Sequence, residues 1–312
     1  MLSRRNVRIK VMQVLYAANR NKYEQSLEKN ALRFYDRMVE DSHKLFLYSI
    51  LAFMRVAEYA RQDKIRKQGK LRPSKEDLTF STVFADNEYL ASLAENQMLR
   101  LKIDRARLGQ QLDADFVRQL YFEFAKEESY QAFILLESPS KEAFVEIYLE
   151  FYKFLIKNDT FISMLEDYFP LWNVDKSLIV GAMKKTIKAL PIEDDFLEAF
   201  APQHETIREF GEKLLTKVVN ADKELLEIIE PNLNNWDANR VAILDMIIIK
   251  MALAEFLYFS SIPTKVTLNE FVELAKLYST DKSKDFINGI LDRLLKNLDK
   301  KGLIRKEGRG LK

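Results

Sequence analysis

Turn-forming residues are scarce in this chain, with eight glycines and seven prolines in 312 residues. A strand-rich fold needs a tight turn every few residues, and Gly and Pro supply most of those turns. A chain this poor in them is far easier to build from helices. Apolar residues make up 47% and charged residues 31%, the balance of a folded globular protein and not of a disordered one. The length suffices for one large domain or two ordinary ones. The expected fold class is all-α.

Cysteine is absent, which removes disulfides, thiolate metal sites and thiol nucleophiles together. The only histidines are His43 and His204. They are far apart, and Ala201 stands three residues before His204. The doubled Glu-x-x-His motif of an iron-carboxylate bundle is therefore missing. No GxGxxG, Walker loop, HExxH or GxSxG occurs. The reading is of a protein that is not an enzyme and needs no cofactor and no metal.

The formal net charge is +2, so a nucleic-acid binder with this balance must use a local basic patch. MLSRRNVRIK is not followed by the apolar run of a signal peptide. Val241–Phe259 is the most apolar stretch, but Asp245, Lys250 and Glu255 interrupt it. It reads as a buried central helix and not as a membrane span.

Helical periodicity places a first helix at 4–19. At about 100° per residue, Val7, Val11, Val14 and Ala18 fall within roughly 60° of one another. Arg5, Arg8, Met12 and Tyr16 take the opposite side, which is expected to face a partner. A long helix or broken pair follows over 28–62, and then RQDKIRKQGKLRP, with six basic residues and one Asp. Cations suit a helix C-terminus, so a solvated helix exit is the simpler reading beside an RNA-contacting loop. Two or three helices are expected over 75–136, then helices at 140–157, 159–168 and 173–189.

An acidic connection between Pro191 and Pro202 is the candidate boundary. After it come helices at 205–219, 222–230 and 237–259. A capping box, Thr267-Leu268-Asn269-Glu270, opens a helix to Tyr278. A last helix is capped by Asp281 or Ser283 and buries Ile287, Ile290, Leu291, Leu294 and Leu298. Asn288-Gly289 suggests close helix packing, and Trp236 and Arg240 read as structural. The stretches 165–187 and 229–251 echo each other, consistent with a degenerate helical duplication or with chance.

Two separated blocks carry a family resemblance. The opening RRNVRIKVMQVLYA has an arginine cluster followed by a helix with Gln13 and Leu15-Tyr16. The second block includes IPTKVTLNEFVELAK and, at a fitting distance, SKDFINGILD. Together they resemble the NusB transcription-antitermination family, over roughly residues 3–20 and 205–298. The resemblance implies an all-α, NusB-like helical bundle of two small subdomains, with an additional inserted helical region. On that reading 1–24 is the first helix with its basic RNA-binding cluster and 25–200 the extra helical region. Residues 201–298 are the C-terminal bundle and 299–312 a basic flexible tail.

The resemblance further implies an antitermination factor. It would bind single-stranded boxA RNA together with NusE, a small-subunit ribosomal protein, within the RNA polymerase antitermination complex, notably on ribosomal RNA operons. It implies RNA-facing positions at Arg4, Arg5, Arg8, Lys282, Ser283 and Phe286, and a NusE-facing pair at Tyr16 and Asp245. Reversing the charge at Arg5 and Arg8 is expected to weaken RNA binding and spare the fold. A cytoplasmic location is expected, with no membrane partner, and self-association as a homodimer stays open. NusB-like bundles also occur fused to RNA cytosine methyltransferases, but the missing thiol and cofactor loop argue against that here. The remaining alternative is a protein-interaction scaffold in transcription or ribosome biogenesis that binds RNA weakly.

Overall fold

The computed structural model describes residues 1–21, 27–233 and 240–308. Among these there is no strand. In chain order the helices are α1 (Arg4–Asn21), α2 (Leu27–Gln68), α3 (Lys75–Leu78), α4 (Glu88–Glu95) and α5 (Gln97–Arg105). Next come α6 (Ala114–Phe124), α7 (Glu128–Phe133), α8 (Lys141–Leu155), α9 (Asp159–Tyr168) and α10 (Trp172–Lys188). A π-helical segment, Glu205–Glu212, leads into α11 (Lys213–Asn220). Then follow α12 (Asp222–Ile229), α13 (Ile243–Tyr258), α14 (Thr264–Tyr278) and α15 (Asp281–Lys300). Trp236 lies outside the described residues, as does part of the echo at 229–251; Arg240 is exposed.

The chain divides into two compact units. The first comprises Met1 and Glu40–Ala201, the second Leu2–Val39 and Pro202–Lys312. The upstream division thus falls inside α2 and not before it, where sequence had put the edge of the extra region. The reason is local. The Tyr35 hydroxyl donates to the carbonyl of Ile207 at 3.0 Å, and Asp36 pairs with Arg208 at 2.7 Å, so the start of α2 packs with the second unit.

In the first unit, Leu45–Ala60 of α2 is buried almost continuously against α8 and its neighbours. The core there is aromatic. Around Phe84 stand the rings of Phe124, Tyr130, Phe133, Tyr148 and Phe151, with centroids 5.2–6.2 Å away. Such tilted and edge-on pairs add about 0.5–1.5 kcal/mol each beyond area burial. Some polar groups inside this core are paired: Tyr148 donates to the Phe84 carbonyl at 2.9 Å, and Ser42 donates to Asp175 at 2.6 Å, whereas the buried Trp172 Nε1 has no hydrogen-bond partner.

In the second unit α13 is the central element. Residues Ile247–Phe256 are all buried, because α1, α11, α12, α14 and α15 pack around the helix. No helix among the described residues is long and apolar enough to cross a membrane. The π-helical segment passes close to α1 and α2 at Gly211. A β-carbon there would run into Tyr35 Oη and Val7 Cγ1, so any larger residue forces those side chains to shift.

Several local expectations change. Pro263 occupies the N-cap of α14, so Thr267 is one turn inside the helix. Its hydroxyl donates instead to Glu255 at 2.7 Å. Thr280 caps α15, its oxygen accepting from the Ser283 amide at 3.3 Å. A β-carbon at Gly289 would meet nothing within 4 Å, so no close helix packing requires that glycine. The tail is not loose through Gly308. Gly302, with φ +63°, ends α15 in the left-handed conformation and lets the Leu303 amide bond the Leu298 carbonyl. Lys306 then donates to the carbonyls of Glu255 (3.3 Å) and Phe259 (2.8 Å) at the end of α13. Those carbonyls lack intrahelical donors and favour a cation.

Candidate nucleic-acid interface

The expected RNA-facing residues come from two places in the second unit, the start of α1 and the first turns of α15. Among the α1 arginines the structure separates exterior from interior. Arg4 is partly exposed, pairs with Glu205 at 2.8 Å and lies 5.5 Å over the Phe210 ring. Arg5 is partly exposed.

Arg8 is 3% exposed. Its Nε and Nη2 donate to the two oxygens of Glu255 at 2.9 and 2.7 Å, and Nη1 reaches Glu270 at 3.5 Å. The guanidinium also lies 5.0 Å from the Phe210 ring centre and 5.7 Å from that of Phe271. The Arg8 fork is therefore committed to the interior, which corrects its expected exposure to RNA. The expected one-sidedness of α1 is corrected with it: Arg8, Lys10 and Met12 are buried as well as Val7, Val11 and Val14. Reversing the charge at Arg8 would bury a carboxylate beside that of Glu255, with partly exposed Glu270 near both, so that substitution is expected to destabilise the fold.

At α15 the Thr280 cap positions the first turn. Lys282 is exposed and Lys284 partly so. Ser283 is buried, its hydroxyl 2.8 Å from that of Thr280. It serves the cap and does not present itself outward. Phe286 is partly buried and engaged with other residues of the chain, so its ring is only in part available for stacking.

The two regions converge on α14. Glu273 bonds Lys276, and that bond holds its carboxyl below the ordinary carboxylate range. The charges of Lys276, Arg5 and Lys284 push it the same way. Cations from α1, α14 and α15 thus gather around one carboxylate. Lys276 and Lys284 were not singled out from sequence. Lys276 stands three residues from Glu273, as a helical ion pair requires; the approach of Arg5 had no sequence signal.

The expected NusE-facing pair also splits. Asp245 is 4% exposed and accepts from the Ser279 hydroxyl, tying the end of α14 to the start of α13. In the chain by itself its carboxylate is covered by the C-cap of α14. Tyr16 is partly exposed and engaged within the chain. No cluster of metal-ligating side chains occurs among the described residues.

The fold and this surface define a class: an all-helical protein whose cations gather where the ends of separate helices meet. Residues 178–296 are a NusB-family domain, by their match to the model of the NusB family. Over 104 residues the chain is 41% identical to the transcription antitermination protein NusB of Chloroherpeton thalassium, covering 33% of this chain and 49% of that protein. It is 40% identical over 104 residues to the protein of the same name from Salinibacter ruber, covering 33% and 65%. With that of Natranaerobius thermophilus it shares 39% identity over 92 residues, covering 30% and 66%. The matches thus span about half to two-thirds of these relatives, and residues 1–177 lie outside the family match. No solved structure matches the chain.

Proposed function

We propose that this protein is a transcription antitermination factor. It binds boxA-type single-stranded RNA together with NusE and promotes processive transcription, notably of ribosomal RNA operons, in the cytoplasm and without catalysis. The observation that carries the reading is the NusB-family domain at 178–296. The charges of Arg5, Lys276 and Lys284, from α1, α14 and α15, which all act on Glu273, also support it.

On this reading Arg4, Arg5, Lys276, Lys282 and Lys284 contact phosphate, and Phe286 offers the exposed part of its ring to a base. Arginine at such a face can bind phosphate through two parallel hydrogen bonds. The capped N-terminus of α15 adds the positive end of a helix dipole. Arg8 and Glu255 hold α1 in place behind that face.

The burial of Arg8 and Asp245 favours a second reading, in which the frame serves protein–protein contacts and RNA binding is weak. A titration separates the two. A short boxA-like RNA and a scrambled control are titrated with and without NusE at two salt concentrations. Selective, NusE-enhanced binding that weakens with salt supports the first reading. Equal or absent binding of both RNAs leaves the scaffold.

A further inference from the structure

The basic stretch at the end of α2 and just beyond it remains unassigned by that function. It forms a folded tip in the first unit. Gly69 and Lys70 close the end of α2, and Ser74 and Asp77 form a capping box that opens α3. Lys70 Nζ holds Asp77 at 2.7 Å, and Gln68 donates to the Leu78 carbonyl at 3.3 Å, so the segment is fastened back on the helix end. Arg66 is bound to buried Asp63 at 2.8 Å and lies 4.9 Å over Phe122; Lys67 lies 4.1 Å over Phe80.

What the tip leaves outward is mixed in character. Between Lys64 and Leu78 there are six cations and two carboxylates, in a chain whose whole net charge is only +2. Arg72 and Lys75 are exposed and make no ion pair among the described residues. The same segment carries three large aliphatic side chains: Ile65 is 65% exposed, Leu78 54% and Leu71 99%. Three large aliphatic groups exposed within one short cationic segment are more than a solvated helix exit requires.

We propose that this tip docks an acidic, amphipathic segment of a partner protein. Carboxylates of such a segment would meet Arg72 and Lys75, and its apolar side chains would cover Leu71, Ile65 and Leu78. A nucleic acid fits less well. Single strands are held by stacking on aromatic rings, and none of the large hydrophobic side chains exposed on the tip is aromatic. On a phosphate backbone Leu71 would stay wet.

The test uses the full chain and a fluorescein-labelled 20-residue peptide with Glu and Leu at helical spacing. The controls are the same peptide with its leucines replaced by serine, and a 20-nucleotide oligouridylate. The acidic leucine peptide is expected to bind, and the serine peptide at least about tenfold more weakly. Leu71→Ser, at a side chain the fold does not bury, and the pair Arg72→Glu with Lys75→Glu are each expected to weaken the leucine peptide about tenfold. Circular dichroism should show their helicity unchanged. A leucine peptide that does not bind, or that binds the substituted proteins as well as the parent, overturns the proposal. Oligouridylate binding that the charge reversal abolishes, with no effect on the peptide, overturns it in favour of an RNA surface.

Discussion

Arg8 and Glu255 face each other in the interior of the second unit, 247 residues apart in sequence, through two parallel hydrogen bonds of 2.7 and 2.9 Å. Thr267 donates a third bond to the same carboxylate. The pair joins α1 to α13, and Thr267 brings in α14. Removing one charge from such a pair strands the other without water. Arg8→Ala should therefore lower stability by about 3–5 kcal/mol, read as a fall in the urea midpoint at unchanged slope. Replacing Arg8 and Glu255 together by Met should recover most of that loss. A single Arg8→Ala variant as stable as the parent would refute the lock.

Gly211 offers a test of close packing. A methyl group there must displace the ring of Tyr35 or the side chain of Val7. Gly211→Ala is expected to cost about 1–3 kcal/mol by overpacking. Coupling it with Tyr35→Phe, which removes the oxygen nearest the new methyl, should give less than the sum of the two single losses. Additive losses would place the strain elsewhere.

His43 makes the first unit sensitive to acid. Burial, then the charge of Lys102, then the amino terminus, push the imidazole from its ordinary 6.5 down to about 4, and its Nδ1 has no hydrogen-bond partner. The folded state keeps the ring neutral where the unfolded chain already takes up a proton. The contribution is thus complete above pH 6.5 and is lost as the pH falls to about 4. With roughly 1.4 kcal/mol per pK unit, the loss is on the order of 3–4 kcal/mol. His43→Gln should flatten the stability profile in that window; a profile as steep as the parent's would assign the acid sensitivity to other groups.

The proposed RNA face makes a prediction about salt. Each phosphate contact to a single strand contributes about 0.7 to the slope of log affinity against log salt. Arg5→Gln with Lys282→Gln should weaken boxA-like RNA about tenfold and reduce the slope by about 1.4. Neither side chain is buried, so thermal melting should stay where it was. An unchanged slope would remove both residues from the interface.

Part of this protein is legible in one dimension. The shortage of Gly and Pro and the 3.6-residue apolar spacing yield an all-helical chain, because both signals act within a turn or two of the residue that carries them. Helix α9 occupies the span its periodicity predicts, 159–168. The strings IPTKVTLNEFVELAK and SKDFINGILD point to the NusB family for the same reason. Caps are less legible: Thr267 has the spacing of a capping box, yet Pro263 starts the helix one turn earlier.

Sequence alone determined the fold class, most of the helix spans and the NusB-family resemblance of the C-terminal part. Tertiary structure decided which side of each helix is inside. Nothing local distinguishes Arg5, which reaches the surface, from Arg8 three residues later. The difference is made by Glu255, whose burial in α13 demands a cation, and by the rings of Phe210 and Phe271, between which that cation can sit. Asp245 went the same way, covered by Ser279 at the end of α14. A buried charge is selected by partners distant in the chain, and only the folded packing brings those partners together.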